Sequence, residues 1–461
     1  MSLNSISPID GRYKKSSFAL SPIFSERGLL RYRLMVEGEY LIALSSLKIK
    51  LRKLSEREKK LVRSLYGLSE KDAQIISDIE TVGYKNIKAT DHDVKAVEYF
   101  MKMKLAKTSL KNNIEWIHFA LTSEDINNIA YSLMVSDALD KVIKPKIKEI
   151  IDSLKKLAIK YKNLPMLART HGQSASPTTF GKEMKVFVAR LEKQMGGLAS
   201  IKIQSKLNGA TGNYNAHMTA YPKIDWLKFS KNFIESFNKG RSQKLEANLI
   251  TTQIECHDSY VAVFDTLRRI NTILIDFNQD MWRYISDDWI VQKSTEGTVG
   301  SSTMPHKINP IKFENSEGNL GMANAFFEFF ARKLPVSRLQ RDLSDSTVER
   351  NFGTAFSHSL IAYEYLLKGL SKIKVNEKKV LEVLNSHFEI IAEAIQTILR
   401  REGQEFPYEK LKALTRGRVV SKEDFSLFIN NLHVSDKVKK ELRKITPQNY
   451  TGLASKLAQI K

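Results

Sequence analysis

The chain has 461 residues, 42% of them apolar and 27% charged, with a formal net charge of +22. This is the composition of an ordinary globular protein. No run approaches the ~18 consecutive apolar residues of a membrane span, because the most apolar stretch, starting at Met322, is broken by Asn324 and Glu328. A single cysteine, Cys256, excludes an intramolecular disulfide and a cysteine-based zinc site. The positive charge invites a nucleic-acid reading, but its signs are interleaved. Lys59-Lys60 follows Glu56 and Glu58, and Lys439-Lys440 precedes Glu441, the pattern of solvated helix faces. No nucleic-acid partner and no membrane are therefore expected, and small polyanionic ligands suit the charge. The opening MSLNSISPID has no basic segment leading into an apolar one, so no secretory signal is expected. A reducing, cytoplasmic setting is the expectation.

Residues 1–22 read as irregular, with Pro8, Gly11 and Pro22 as breakers and Arg12-Tyr13 as a cation-plus-aromatic pair. Residues 25–65 read as helical, with Ser55 and Glu58 spaced as a capping box. The cluster Thr90-Asp91-His92-Asp93 precedes apolar residues at helical spacing; it fits a helix cap or a ligand site at that helix end. Residues 118–161 read as a long helical region with an irregularity at Pro145. Its main run follows Thr122-Ser123-Glu124-Asp125, again either a capping box or an anion site made from hydroxyls and free N–H groups. Residues 167–177 read as a connection, with Pro177 in the first turn of the next helix and Ser176 as its cap, that helix running over 178–206.

A Gly/Asn-rich loop follows over 207–217. Over 253–290 the apolar positions Tyr260, Phe264, Leu267, Ile270, Leu274, Phe277, Met281, Ile285 and Trp289 step by three or four. A one-sided stripe that long belongs to a bundle. It leads into 294–315, where Gly297 and Gly300 precede Ser301, Ser302, His306 and Lys307. A fourth helix is expected over 310–332, a break at Leu334-Pro335, and a fifth helix ending near residue 370 after the segment 341–350. Short helices broken by Pro407 and Pro447 complete the chain. The fold class expected is all-α, built on a central long-helix bundle.

Four polar segments, 122–125, 169–173, 208–215 and 297–307, punctuate the long helices, and bundles build sites where such ends converge. No His-x3-His or Glu-x-x-His pairing lies near them, and neither GxxxxGK[ST] nor G-x-S-x-G occurs. Serine, histidine, threonine, asparagine, lysine and arginine remain. They suit acid–base work on an anionic substrate, with no metal or cofactor expected.

GSSTMPHKINP, starting at Gly300, resembles the GSSxMPxKxNP signature of the fumarase/aspartase superfamily in all eight of its fixed residues. TSEDINN at Thr122 and ARTHGQ at Ala168 are similar to the superfamily's other two blocks. SPIDGRY at Ser7, DHDVKAVEYF at Asp91, KLNGATGNYNAH at Lys206 and RDLSDSTVERN at Arg341 resemble its adenylosuccinate lyase branch, in the longer bacterial form. The resemblance spans essentially the whole chain.

It implies three helical sections: an N-terminal domain over 1–118, a bundle over 119–370 carrying the catalytic blocks, and a small C-terminal domain over 371–461. It implies β-elimination of fumarate from adenylosuccinate and from the related succinylated carboxamide ribotide, in a homotetramer with shared sites. Ser301 matches the family's general base and His171 its general acid, with His92 near the phosphate or supporting the acid. Arg12 and Tyr13 match phosphate contacts. Thr122, Ser123, Lys307 and Asn309 match contacts to the succinyl carboxylates, with Gln253 nearby. Ser302 and Asn315 fall at other substrate positions, and Arg341, Ser346, Thr347 and Arg350 on the phosphate and ribose side. Asp93 belongs to the same block as His92. Asp91 departs from the Asn or Arg usual there. The runner-up is a sister fumarate-releasing lyase such as argininosuccinate lyase. Arg12-Tyr13 and the segment 341–350 argue against it, since they serve a nucleotide, and His306 fits it less well.

Overall fold

The computed structural model describes residues 3–293, 304, 307–416 and 420–460. Ser301, Ser302, His306, Gly297 and Gly300 lie outside the described residues. The chain is helical almost throughout, as expected. After short turns, α1 is Glu26–Leu44, α2 Glu56–Ser64, α3 Glu70–Thr81, α4 Asp93–Leu105 and α5 Ser123–Ala138. A π-turn, Leu139–Ile143, joins α5 to α6, Lys144–Lys160. The hairpin of β1 (Pro165–Thr170) and β2 (Gln173–Thr179) leads into α7, Phe180–Ser200. Next come β3, Ile203–Ser205, α8, Trp226–Ser236, β4, Leu245–Ala247, and α9, Asp258–Ser286. Then follow β5, Ile290–Gln292, α10, Ile311–Lys333, α11, Ser344–Glu349, α12, Phe352–Leu370, and β6, Ile373–Val375. Five short helices from Glu377 to Arg443 dominate the rest. Among the described residues no helix is long and apolar enough to cross a membrane.

Local chemistry explains most boundaries. The Ser55 hydroxyl accepts from the Glu58 N–H (3.3 Å) while the Glu58 carboxylate accepts from the Ser55 N–H (2.9 Å), the expected capping box. The expected continuous helix over 25–65 is two helices. The Ser45 hydroxyl donates to the Ile42 carbonyl (2.7 Å), a side-chain bond that competes with the helix, and the break lets Leu51 and Leu54 bury. Pro145 gives the expected irregularity. It has no N–H to donate, and its ring would clash with a carbonyl four residues back; the preceding turn widens so that the Lys144 N–H reaches the Leu139 carbonyl.

The expected helix start at Ser176-Pro177 is not found. Both residues lie in β2, opposite the place where the hairpin register slips between Met166 and Ala168. A proline with no ladder N–H is tolerated at such an irregularity. The helix starts at Phe180, where the Thr179 hydroxyl accepts from the Lys182 N–H (3.2 Å). It stops at Ser200, short of 206, because Ile203–Ser205 pairs in parallel with Leu245–Ala247. The long helix expected from 253 starts only at Asp258. His257 has φ 65°, outside the helical region, and its N–H donates to the Glu255 carboxylate (2.8 Å).

The described residues form two compact units. The first comprises Met1–Ile147, Gln194–Thr272 and Gly318–Glu364. Its centre is α5, buried at every residue from Glu124 to Ala138. Two polar groups on the C-terminal half of α5 are satisfied by distant partners: Ser136 Oγ donates to the Gln243 carbonyl (2.7 Å), and Asp137 accepts from Tyr32 Oη (2.6 Å). Phe264 packs on Phe327 and Phe352, with ring centroids 5.5 and 5.0 Å apart; each such pair contributes ~0.5–1.5 kcal/mol beyond burial. The second unit comprises Lys148–Lys193, Ile273–Glu317 and Tyr365–Lys461. Its core includes Phe180, Met184, Leu191, Phe277 and Met281, with Phe187 edge-on to Phe277 at 5.1 Å. The expected stripe is buried from Tyr260 through Met281.

Candidate active site

In the first unit the starts of α4 and α5 open onto one cavity of about 530 Å³. Its lining contains Asp91, His92, Asp93, Thr122, Ser123, Gln253, Arg341, Ser346, Thr347 and Arg350, ten of the residues expected from the sequence. Two helix N-termini and two arginines facing one space favour an anion.

Several of these groups are fixed by bonds that can be traced. His92 caps α4, its Nδ1 accepting from the Lys95 N–H at 3.3 Å. A backbone N–H can only donate, so neutral His92 carries its proton on Nε2, which lies 3.3 Å from Ser123 Oγ. Asp91 has φ 48° and its N–H donates to the Glu80 carbonyl (2.9 Å). Aspartate and asparagine tolerate this left-handed conformation best among residues with a Cβ, so Asp91 sits there with little strain.

Asp93 is held from several sides. Its carboxylate accepts from Arg33 Nη2 (2.6 Å), Arg350 Nη2 (2.8 Å) and the Val94 N–H (2.7 Å). Burial opposes its ionisation, yet Arg33, the Val94 N–H and Arg350 outweigh burial and hold its carboxyl below the usual range. Arg350 Nη1 also donates to Glu26 (3.0 Å). Arg341 donates from Nη1 to Gln253 Oε1 (3.2 Å), and Gln253 Nε2 donates to the Ala210 carbonyl (3.1 Å). The Gly/Asn-rich loop is thereby tied to the cavity wall. Beneath it, Lys206 Nζ and Asp125 Oδ1 form a fully buried ion pair at 2.9 Å. Asp125 also accepts from the N–H groups of Thr122 (2.9 Å), Asn208 (3.0 Å) and Gly209 (3.1 Å).

Arg12 and Tyr13 are not in this lining; they sit in the turn before the short helix Lys14–Ser17. Lys14 and Ser17 line a neighbouring cavity of about 350 Å³, which Arg350 also borders.

In the second unit, His171 and Gly172 are the two-residue loop of the β1–β2 hairpin, between the paired residues Thr170 and Gln173. Both have positive φ, 53° and 75°. That is the primed-turn geometry that matches strand twist. The turn leaves the His171 ring exposed at the tip. Lys307 is exposed, and its N–H donates to the Met304 carbonyl (3.1 Å). Gln292 Nε2 donates to the Ile308 carbonyl (2.9 Å), anchoring the chain just before Asn309. Asn315 is half-buried at the start of the second turn of α10, beside Ser316, whose hydroxyl accepts from Asn278 (3.0 Å).

Sequence reasoning missed Arg33, Asn127 and Glu80. Arg33 is 1% exposed, on α1, and no local pattern marks it as buried. Its Nε donates to Asn127 Oδ1 (2.9 Å). Also missed was a buried cluster of Glu124, Asp345, Glu349 and His257 behind Arg341. The signal for Glu124 was its place between Ser123 and Asp125. Burial and the Glu349 carboxylate push the Glu124 carboxyl up, to about 8. Burial opposes charge on His257, but Glu349 at 3.4 Å outweighs it and holds the imidazole up, at about 9.

Residues 11–324 match the Lyase family, and residues 337–451 match the adenylosuccinate lyase C-terminal family. The chain is 48% identical to an adenylosuccinate lyase of Legionella pneumophila strain Corby, covering 99% of this chain and 98% of that one. It is 48% identical to that of Escherichia coli K12 (98% and 97% covered) and 47% identical to that of Dictyostelium discoideum (98% and 97%). Among solved structures, a fumarate lyase from Mesorhizobium sp. BNC1 superposes with a TM-score of 0.73 at 16% identity, covering 96% of each chain. The 3-carboxy-cis,cis-muconate lactonizing enzyme of Pseudomonas putida gives 0.71 at 18%, covering 96% and 95%. At those identities the superpositions show a shared fold alone. Family matches along nearly the whole chain, relatives of equal length and the common helical fold agree: this chain belongs to the adenylosuccinate lyase family of the fumarase/aspartase superfamily.

Proposed function

We propose that this chain cleaves adenylosuccinate to AMP and fumarate and, by the same β-elimination, the succinylated aminoimidazole carboxamide ribotide of purine nucleotide synthesis. The observation that carries this is the convergence of ten expected polar residues on one cavity, in a chain 47–48% identical over its length to adenylosuccinate lyases. Those relatives do not favour the argininosuccinate alternative.

The reaction needs a base to take a proton from the carbon beside a carboxylate. The electron pair left behind becomes the double bond of fumarate as the C–N bond breaks. An acid then gives a proton to the departing nitrogen. We assign the base to Ser301 and the acid to His171, an imidazole being able both to give and to take a proton. Lys307 and Asn309 are the proposed holders of the charge that builds on the carboxylate, with Thr122, Ser123 and Gln253 on the succinyl group. Ser302 and Asn315 are assigned to further substrate contacts. Arg341, Ser346, Thr347 and Arg350 are assigned to the phosphate and ribose, with His92, Asp91 and Asp93 at the same cavity, and Arg12 and Tyr13 as further phosphate contacts. An arginine fork suits phosphate oxygens.

We also propose a homotetramer with shared sites. Met322 and Phe329 on α10 are 50% and 46% exposed, and Gly318 and Gly321 on that helix leave open space beside the backbone. Apolar and small residues exposed together on a long helix mark a surface that another subunit covers. The three-section division, 1–118, 119–370 and 371–461, is kept as the family's arrangement. The free, exposed Cys256 supports a reducing, cytoplasmic location. The test is fumarate release from purified protein given adenylosuccinate, with argininosuccinate in parallel. Turnover of the first alone is expected. Turnover of the second alone, or of neither at micromolar enzyme, contradicts the assignment.

A further inference from the structure

Behind the cavity, groups that do not line it crowd against Arg341. Arg341 Nη2 lies 3.2 Å from Glu124 Oε2 and 3.8 Å from Asp345 Oδ1, and His257 Nε2 lies 3.4 Å from Glu349 Oε1. Glu124, Asp345 and Glu349 are 1%, 4% and 2% exposed, and His257 is fully buried. Three buried carboxyls thus face one guanidinium and one imidazole. Glu255 adds a fourth next to His257, but it is engaged by the His257 N–H and by Asn248 Nδ2 (3.0 Å). By contrast, Glu124 Oε1, Asp345 Oδ2 and Glu349 Oε1 have no hydrogen-bond partner among the described residues. Buried carboxylates in excess of their counter-ions cannot all ionise, because no water screens them.

Arg341 is the member of this group that reaches the cavity. An ionised Glu124 and an incoming anion would compete for the same guanidinium. A protonated Glu124 still offers a carbonyl oxygen to Arg341 Nη2, which orients the fork without cancelling its charge. We propose that Glu124 is a positioning residue for Arg341, and that the site binds its anionic nucleotide more tightly when Glu124 carries a proton. The inference rests on the reading of Arg341 as a substrate contact. Glu124 is the group in the cluster best placed to act this way. It follows Ser123 at the start of α5, so it links the guanidinium to the hydroxyl end of the same cavity. Burial and Glu349 both favour its neutral form, while Arg341 and His257 oppose this. The groups facing it are Glu349, Asp345, Arg341 and His257.

The test is the affinity of the intact enzyme for AMP, with KM and kcat for adenylosuccinate, between pH 7 and pH 9. If only the Glu124-protonated form binds well, wild-type affinity weakens about tenfold over that range, in proportion to the loss of the competent form. Glu124→Gln keeps the carbonyl oxygen and cannot ionise, so its affinity for AMP should change less than about twofold over the same range. Glu124→Leu removes the oxygen and should weaken AMP binding at every pH. A Glu124→Gln profile that parallels wild type overturns the proposal. Should that variant fail to assemble, calorimetry of AMP binding to wild type at pH 8, in two buffers of different ionisation enthalpy, decides. Uptake of a fraction of a proton supports the proposal and no uptake overturns it. Arg341→Gln separates this inference from the reading beneath it. Weakened AMP binding there, with a wild-type profile for Glu124→Gln, sinks the Glu124 role alone. Unchanged AMP binding in Arg341→Gln sinks the substrate role of Arg341 as well.

Discussion

The cavity of the first unit and the hairpin tip of the second carry their proposed functional residues in opposite ways. Around the cavity several charged groups are fixed by partners: Asp93 between Arg33 and Arg350, Arg341 between Gln253 and Glu124, Asp125 under the loop with Lys206. At the tip, His171 is exposed on a two-residue turn whose positive-φ backbone conformation sets its place. A rigid, pre-bonded surface suits recognition, since little ordering remains to be done on binding. An exposed imidazole keeps access to solvent protons, which suits a group that gives one up and recovers it every cycle.

Three substitutions probe that contrast, in decreasing order of expected effect. Ser301→Ala removes the proposed base and should lower kcat by about 10²–10⁴, with the helical circular-dichroism signal intact. Wild-type turnover would move the base to another residue. Lys206→Met leaves Asp125 as an uncompensated buried charge and should cost about 3–5 kcal/mol in denaturant unfolding. A loss under about 1 kcal/mol, the value of an exposed pair, would show that the cavity floor is not held by this ion pair. Gly172→Ala forces a Cβ into φ 75° and should cost about 1 kcal/mol. Because His171 shares the turn, kcat should drop while AMP affinity stays; equal loss of both would tie the hairpin to binding.

The bundle was legible because burial on one side of a long helix imposes a repeat on its sequence. The stripe starting at Tyr260, the capping box at Ser55 and Glu58, and the kink before Pro145 each have local causes. Cavity residues near helix starts were legible for the same reason, since His92 and Thr122 sit where caps sit. The hairpin was not, because Ser176-Pro177 has the chemistry of a helix start. What ruled that out is the pairing of the flanking Ala175 and Thr178 with Ala168 and Met166, which the dipeptide's own chemistry does not reveal. The pair His171-Gly172 between extended residues was the missed turn signal. Arg33, His257 and Glu349 were invisible because their partners are distant in sequence, whereas Glu124 had only its place between Ser123 and Asp125 to mark it. A buried arginine in a helix looks like a surface one until the aspartate it meets is known.

The proposed function implies a division of labour: Arg341 and its neighbours would bind the nucleotide, and His171 would give the departing nitrogen its proton. Steady-state fumarate release from adenylosuccinate, measured for Arg341→Gln and His171→Ala side by side, tests it most directly. Arg341→Gln should raise KM by about 10–100-fold through loss of a charged hydrogen bond. His171→Ala should lower kcat by about 10²–10⁴ with KM changed far less. Wild-type kcat in His171→Ala, or an unchanged KM in Arg341→Gln, would contradict the division.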